Sequence, residues 1–275
     1  MIQIKSRDEI ELMRQAGIVV GTTLGILRES VTPGMTTADL DDIARDCLAK
    51  AGATSNFLGY HGFPATVCTS VNDQIVHGIP SRKVVLRDGD IVSIDFGAII
   101  EGYHGDAAIT VPVGEVSAAD LELLRVTEES LWHGMAAGLL GARLIDVSRA
   151  IETYVRSQPH PNGGSWGIVE EYVGHGIGTE MHQDPQVHNY VGPRMGKGPE
   201  LVEGLALAVE PMINLGGRHT KVLDDNWTVV TADGSRSAHF EHSFTMTEEG
   251  PWVLTALDGG RERIAAISGE LATPA

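Results

Sequence analysis

The chain repeats one local pattern at a constant distance of 107 residues, and this repeat constrains its fold more than any other feature. A glycine followed five residues later by an aspartate occurs at Gly34 and Asp39, and again at Gly141 and Asp146. Because helices followed by strands accompany each copy, we predict two similar halves. The apolar positions behind the two copies align at the same distance: Leu40 with Val147, Ala44 with Ile151, and Leu48 with Val155.

Helical signals open each half. Ser6 and Glu9 have the spacing of a capping box, and apolar residues recur at helical intervals behind them. A second helix is predicted from about Thr36 to a stop at Gly52, a third begins at Ser117, and a fourth lies within 141–158. Strand patterns follow at 65–71, 90–100 and 107–113 in the first half, and at 168–173, 205–212, 227–231 and 238–247 in the second.

The order of these segments predicts an α+β fold with a pseudo-twofold antiparallel β-sheet, two helices per half and a site between the halves. No linker separates the halves, so we expect residues 1–275 to form a single domain with its core at about 4–255. The tail after Arg263 is short and mixed in character, and we expect it to be disordered.

Charge and composition exclude several classes of protein. With 20 basic and 37 acidic residues the net charge is −17, which disfavours direct nucleic-acid binding because phosphate contacts need clustered lysine and arginine. The two cysteines, Cys47 and Cys68, are too few for a disulfide framework or a zinc finger. No apolar run approaches the ~20 residues of a membrane span, and no secretory signal opens the chain. We therefore expect a cytoplasmic protein without a membrane partner.

Acidic residues inside apolar strand patterns are the strongest functional signal. Asp95 interrupts the apolar run 91–100, although aspartate is depleted in strands. Asp106 follows a turn at Glu101 and Gly102, so a hairpin would place the two carboxylates close to one rung of neighbouring strands. Two facing like charges repel each other, and a divalent cation would neutralise them.

Two further carboxylates repeat this signal in the second half. Glu210 shares a strand face with the small residues Ala206 and Ala208, which leave room for a ligand. A single acidic residue in a strand is equally compatible with an ion pair or a sheet edge. Four of them with few basic neighbours point to a shared cation. The fourth, Glu241, shares its face with Ser237, His239 and Ser243.

Three histidines lie in or near glycine-rich segments: His77, His175 and His182. Glycines there allow a metal or substrate to approach the backbone closely, but tight turns explain them equally well. The imidazole of His175 together with four carboxylates forms an oxygen-rich donor set. Such a set favours Mn, Fe or Co over a structural zinc.

The five candidate ligands occur in the order Asp, Asp, His, Glu, Glu, which resembles the pita-bread metallopeptidases of peptidase family M24. Their flanking sequences resemble the type I methionine aminopeptidases more closely still. The resemblance spans about residues 4–255. Its motifs lie at 59–64, 72–80, 88–92, 105–106, 174–178, 185–187, 210–212 and 237–242.

This resemblance implies a pita-bread fold and a metal-dependent aminopeptidase that removes the initiator methionine from nascent proteins when the second residue is small. It implies two divalent ions, drawn from Co, Mn, Fe, Zn or Ni. Asp95 would bind one ion through both oxygens, while Asp106 and Glu241 would bridge the two. His175 and Glu210 would complete the second ion's site.

The resemblance also implies catalytic roles. Glu210 would take the proton of the attacking water and deliver it to the leaving amine. His182 would hydrogen-bond the scissile carbonyl or its oxyanion, and His77 would hold the scissile nitrogen. The expected partners are nascent N-termini at the ribosome, with the enzyme itself a monomer. A monovalent Na or K ion near Asn72 and Ser237 is a further expectation.

A pocket for the methionine side chain is implied by the same resemblance. Phe57 stands where bacterial relatives often carry a small cysteine, and Met181 occupies a position that is often aromatic. These departures leave the shape of the pocket open. Its expected lining, besides His77 and His182, consists of Tyr60, Phe63, Cys68, Phe57, Met181 and Trp227.

Two alternatives remain open from the sequence: a proline-specific peptidase and a scaffold protein. Prolidases and proline-specific aminopeptidases share the five ligands but usually carry an extra N-terminal domain, whereas this chain begins directly with the catalytic repeat. Type II enzymes carry a long helical insertion for which this chain has no room. Some pita-bread proteins act as scaffolds after losing metal ligands, and all five ligands are present here.

Overall fold

Two pairs of helices and a final helix frame the strands in a computed structural model, which describes residues 2–272. The pairs occupy corresponding positions in the two halves, as the repeat predicts. The helices are α1 (Arg7–Ser30), α2 (Thr37–Ala51), α3 (Ala118–Ala136), α4 (Leu144–Ser157) and α5 (Arg261–Ala272).

The strands divide into two series that follow the helix pairs. The first series is β1 (Thr54–Ser55), β2 (Val67–Val71), β3 (Gln74–Val76), β4 (Ile91–Ile100) and β5 (Tyr103–Pro112). The second series is β6 (Gly167–Ile168), β7 (Gly174–Gly176), β8 (Gln183–Val187), β9 (Ala206–Val209), β10 (Met212–Asn214), β11 (Thr220–Val222), β12 (Val229–Thr231), β13 (Ser237–His239), β14 (Glu241–Thr247) and β15 (Gly250–Val253).

A nine-stranded antiparallel sheet joins the two halves. Seven of its strands follow the order β1-β4-β5-β14-β9-β7-β8, with β15 paired to β14 and β2 paired to β4. Strand β14 pairs with β5 on one side and β9 on the other, so it links the halves. Two three-stranded sheets, β13-β10-β6 and β11-β12-β3, lie beside it. This α+β arrangement confirms the predicted fold class.

The helix boundaries agree with the predicted caps. Ser6, Thr36 and Ser117 each accept a hydrogen bond from the backbone N–H three residues later, and the acidic residue there reaches back to the cap. Gly52 ends α2 in the left-handed conformation, with φ of 65°. The helices therefore begin where local chemistry satisfies their free N–H groups.

The β4–β5 hairpin corrects the predicted register of the two aspartates. Its turn residues, Glu101 and Gly102, have φ of 48° and 83°, as a two-residue hairpin turn requires. This turn places Asp95 opposite Ala108 and leaves Asp106 opposite Gly97. The two aspartates share a face of the sheet without facing each other directly.

Three predicted strands are shorter than expected or broken. The strand predicted at 205–212 splits into β9 and β10, because Pro211 has no N–H to continue a ladder and the chain passes to a different sheet. The strand predicted at 238–247 splits at Phe240 for the same change of sheet. In the segment predicted at 168–173 only β6 forms, and it ends at Ile168.

Helices α1 and α5 differ from the sequence expectations. Helix α1 is long and apolar enough to cross a membrane by length and composition alone, a test that the core helices of globular proteins also pass. Its apolar side packs on β4 and β5, with Met13 and Leu27 at 0% exposure. The expected disordered tail begins instead as α5, which packs on α3 and buries Ile267.

Candidate active site and metal centre

Three of the predicted carboxylates lie on one face of the large sheet. Asp95 in β4 and Glu241 in β14 are both paired with Ala108 in the intervening strand β5. Directly paired residues of antiparallel strands point to the same side. Asp106 lies two residues before Ala108 and therefore shares that side. A small residue between the acidic ones leaves space above the sheet.

The second half contributes to the same face in the same way. His175 in β7 and Ser243 in β14 are both paired with Ala208 of β9. Glu210 follows two residues after Ala208, where β9 ends before Pro211. The Asn189 side-chain amide donates to the carbonyl of Glu210 at 3.0 Å and stabilises this break. Both halves thus place candidate metal ligands beside an alanine.

All thirteen residues predicted for catalysis, metal binding and the methionine pocket line one cavity of about 120 Å³. The carboxylates and His175 form its floor at the sheet. The set comprises Phe57, Tyr60, Phe63, Cys68, His77, Asp95, Asp106, His175, Met181, His182, Glu210, Trp227 and Glu241.

The carboxylates of this cavity are held in an environment that opposes their ionisation. Burial raises the pKa of Asp106 to about 7 from an ordinary value of 3.8. Burial, followed by the charges of neighbouring carboxylates, also raises the pKa of Asp95, Glu210 and Glu241. Among residues 2–272 no lysine or arginine forms an ion pair with any of the four.

Unpaired oxygen atoms show that the cluster fits a cation. Asp95 Oδ1, Asp106 Oδ1 and Glu241 Oε1 are buried without a hydrogen-bond partner. Ligand atoms of Asp106, His175 and Glu241 lie within 4.8 Å of one another, a spacing that one ion can bridge. Because uncompensated buried charge is costly, divalent ions explain this donor set.

The orientation of His175 turns one ring nitrogen toward the carboxylates, where it could bind a metal ion. Its Nδ1 lies 2.9 Å from the carbonyl oxygen of Gly176, which can only accept, so Nδ1 carries the proton. The lone pair of Nε2 then faces Oε1 of Glu210 at 3.6 Å. Burial lowers the pKa of His175 to about 3, which keeps the ring neutral and able to ligate.

His182 and His77 lie on the walls of the cavity. The His182 ring packs edge-on to His175 at 4.3 Å, and its Nδ1 lies 2.7 Å from the hydroxyl of Tyr60. His77 packs against the Trp227 ring at 6.2 Å. Burial lowers the pKa of both histidines, that of His77 to about 4, so both are neutral hydrogen-bonding groups near pH 7.

The remaining wall is apolar and closely packed. The Phe63 ring contacts Phe57 edge-on at 6.4 Å and Trp227 at 5.0 Å. Met181 and Cys68 are buried in the same cluster. Burial raises the pKa of the Cys68 thiol, so it behaves here as a small apolar group. An unbranched thioether side chain matches such a lining.

The structure adds residues that the sequence did not assign to the site. His239 is 1% exposed, and its Nε2 lies 3.7 Å from Glu241 Oε2 and 3.9 Å from Glu210 Oε2. Its shared face with Glu241 was the sequence signal for this position. Tyr172 packs edge-on to His77 at 5.8 Å.

Asn72 and Ser237, the residues expected near a monovalent ion, lie together in the structure. The Ser237 N–H donates to the Asn72 carbonyl at 2.9 Å. Asn72 has a φ of 58°, which turns its backbone out of the strand direction.

Comparison with known proteins shows which family the chain resembles. The chain is 51% identical to methionine aminopeptidase 1 of Mycobacterium tuberculosis, over 91% of this chain and 94% of that one. It is 49% identical to a methionine aminopeptidase of Clostridium acetobutylicum, over 93% and 99% of the two chains. A crystal structure of methionine aminopeptidase from Thermotoga maritima matches with a TM-score of 0.88 at 42% identity, over 93% and 100%.

More distant structures share the fold alone. Prolidase from Pyrococcus furiosus has a TM-score of 0.70 at 19% identity, and the match covers 92% of this chain but 65% of that one. The sequence profile of metallopeptidase family M24 matches residues 11–248. These findings confirm the predicted resemblance to methionine aminopeptidases and the predicted class of peptide-bond hydrolase. The chain belongs to metallopeptidase family M24.

Proposed function

We propose that this chain is a dinuclear metal-dependent aminopeptidase that removes the initiator methionine from nascent proteins whose second residue is small. One observation carries the proposal: a single cavity combines a cation-demanding carboxylate floor with an apolar wall. Relatives at about half sequence identity bear the name methionine aminopeptidase, which supports the same substrate.

Five residues would hold the two divalent ions. Asp95 would hold one ion, His175 and Glu210 the other, and Asp106 and Glu241 would be shared. When bound, the ions would supply a water of lowered pKa and polarise the scissile carbonyl. Co, Mn, Fe, Zn and Ni all accept such a donor set, and availability selects among them.

The protein's own groups then orient the substrate and move protons. Glu210 accepts the proton of the attacking water and returns it to the departing amine, since its carboxylate faces the cavity beside His175. His182 donates a hydrogen bond to the scissile carbonyl oxygen, a contribution of about 3 kcal/mol. His77 holds the scissile nitrogen, and its packing on Trp227 maintains the ring orientation.

The apolar wall selects the side chain at the cleaved end. Phe57, Phe63 and Trp227 would contact the methionine side chain, with Met181 and Cys68 filling the gaps between the rings. Tyr60 holds His182 in place through its hydroxyl. A cavity of about 120 Å³ has room for one side chain, which is consistent with removal of a single terminal residue.

The proposed cellular setting follows from the substrate. Nascent N-termini emerge at the ribosome in the cytoplasm, and we propose that the enzyme acts there as a monomer. The net charge of −17 argues against a direct contact of its own with RNA. Asn72 and Ser237 would hold a monovalent Na or K ion. Sedimentation analysis with and without ribosomes tests the first part of this setting, and crystallography with Rb⁺ tests the second.

Peptide hydrolysis separates the proposed function from its alternatives. Metal-stripped protein is reconstituted with Mn(II), Co(II) or Fe(II) and given Met-Ala-Ser or Leu-Pro. We expect cleavage of Met-Ala-Ser with at least one metal and none of Leu-Pro. Preference for Leu-Pro would assign the chain to prolidase-like activity, and inactivity with every metal would assign it to a scaffold role. The D95N variant serves as the metal-ligand control.

A further inference from the structure

His239 is a buried imidazole that the proposed mechanism leaves without a role. It is 1% exposed, and neither Nδ1 nor Nε2 has a hydrogen-bond partner. An unsatisfied buried polar side chain is unusual, because its desolvation costs about 1–3 kcal/mol. The nearest charged atoms to Nε2 are Glu241 Oε2 at 3.7 Å and Glu210 Oε2 at 3.9 Å.

The carboxylate of Glu210 lies between two imidazoles. Its Oε1 faces Nε2 of His175 at 3.6 Å, while its Oε2 faces Nε2 of His239 at 3.9 Å. The two oxygens therefore have separate partners. If Oε1 of Glu210 binds the ion beside His175, Oε2 can still accept a hydrogen bond from the His239 ring.

The backbone holds His239 rigidly toward these carboxylates. Its N–H donates to Thr110 Oγ1 at 2.9 Å, and the Thr110 hydroxyl donates to the His239 carbonyl at 2.8 Å. His239 is also paired with Met212 across β13 and β10. The Thr110 side chain of β5 thus fixes both the N–H and the carbonyl of His239. The position of the His239 ring therefore depends on the nine-stranded sheet, which carries Asp95 and Asp106.

The imidazole of His239 has at least one ring N–H to donate in either protonation state. A separation of 3.7–3.9 Å exceeds a hydrogen bond by less than 1 Å. A small rotation of either glutamate side chain closes that gap.

We propose that His239 is a positioning residue of the metal centre. Its Nε2–H donates to Oε2 of Glu210 and Oε2 of Glu241. These contacts fix the side-chain rotamers in which the two carboxylates bind the ions. This inference rests on the proposed dinuclear function and extends it by one residue. Groups that hold metal ligands in place typically change metal affinity 10–100-fold when removed. His239 would thus control both the affinity of the centre and the alignment of Glu210 for proton transfer.

Two substitutions separate positioning from simple packing. H239Q keeps an amide N–H donor of similar reach, whereas H239L keeps the volume without a donor. We expect H239L to bind Mn(II) and Co(II) 10–100-fold more weakly than wild type. Its kcat for Met-Ala-Ser should fall at least tenfold at saturating metal while KM changes less than threefold. H239Q should recover both quantities to within about fivefold of wild type.

The exposed residue His219 provides a matched control, since H219Q removes an imidazole far less buried than His239. Wild-type metal affinity and kcat in H239L would overturn the inference, as would equal losses in H239L and H239Q. Pulsed EPR of the Mn(II)-loaded protein counts coupled ring nitrogens. Loss of one nitrogen in H239Q would show that His239 is a ligand and not a positioning residue.

These outcomes are distinct from failure of the proposed function. A wild-type protein that binds no divalent ion would overturn both proposals together. A wild-type protein that binds two ions and cleaves Met-Ala-Ser, with H239L indistinguishable from it, would overturn the role of His239 alone.

Discussion

Replacing Asp106 by asparagine should stabilise the metal-free protein while abolishing its metal binding. Asp106 is 3% exposed, its Oδ1 has no partner, and three other carboxylates line the same cavity. Without cations the ionised carboxylates repel one another. The metal-free protein is therefore less stable than it would be without these metal-binding groups. An asparagine side chain has nearly the same shape, carries no charge, and can donate to the neighbouring carboxylates.

The magnitude follows from the pKa of Asp106. A rise from 3.8 to about 7 corresponds to at most about 4 kcal/mol of lost stability once the group ionises in the fold. Neighbouring carboxylates can take up the proton instead, so we expect D106N to recover about 1–3 kcal/mol at pH 8. For a chain of this size that raises the Tm by about 3–10 °C.

The pH dependence has a definite sign. Because the folded pKa of Asp106 lies above the unfolded value, its contribution to stability is present below about pH 4 and is lost as the pH rises through about 7. The advantage of D106N should therefore be small near pH 4.5 and largest near pH 8. Divalent ions at 1,000 times their Kd should reverse the order, since they stabilise wild type by about 4.1 kcal/mol.

Thermal unfolding followed by circular dichroism measures this effect in EDTA and in Mn(II), at pH 4.5 and pH 8. D46N is the matched control, because it removes one charge from an exposed position on α2. A D106N protein that unfolds below wild type in EDTA at pH 8, while D46N is unchanged, would refute the reasoning. That result would mean that the carboxylate cluster is satisfied without cations.

Three further predictions concern catalysis. In E210Q, kcat for Met-Ala-Ser should fall by about 10²–10⁴ with KM nearly unchanged; near-normal turnover would exclude Glu210 from proton transfer. In H182N, kcat/KM should fall by about 10²–10³, and a loss confined to metal affinity would contradict its contact with the carbonyl. F57C removes a ring that packs on Phe63, so peptides beginning with leucine or phenylalanine should gain about tenfold in kcat/KM relative to methionine. An unchanged preference would place Phe57 outside the pocket. Initial-rate kinetics with matched metal loading measures all three.

Much of the site was predictable because its signals are local in the sequence. Asp95 and Glu241 stand out as charges inside apolar strands, and His175 stands out between glycines. The repeat and the caps at Ser6 and Ser117 likewise depend only on neighbouring residues, since helix ends are satisfied within a few positions. The match of residues 11–248 to metallopeptidase family M24 then confirmed the family resemblance.

Local sequence signals could not predict which residues far apart in the chain become neighbours in the fold. Period-two alternation predicted a continuous strand through Glu210 and another through Glu241, whereas both segments change sheet at Pro211 and Phe240. The exact turn at Glu101 decided which residue faces Asp95, because one residue more or less in a hairpin shifts every pair.

The amino-acid sequence by itself determined the kinds of group present: four carboxylates in apolar strand patterns, a histidine between glycines, and apolar residues that are candidates for a pocket. The tertiary structure alone decided that Asp95 and Glu241 flank Ala108, and that His175 and His239 lie near different carboxylate oxygens of Glu210. The physical reason is that hydrophobic periodicity reports which face of a strand is buried. Which strands become neighbours depends on packing between segments far apart in the chain.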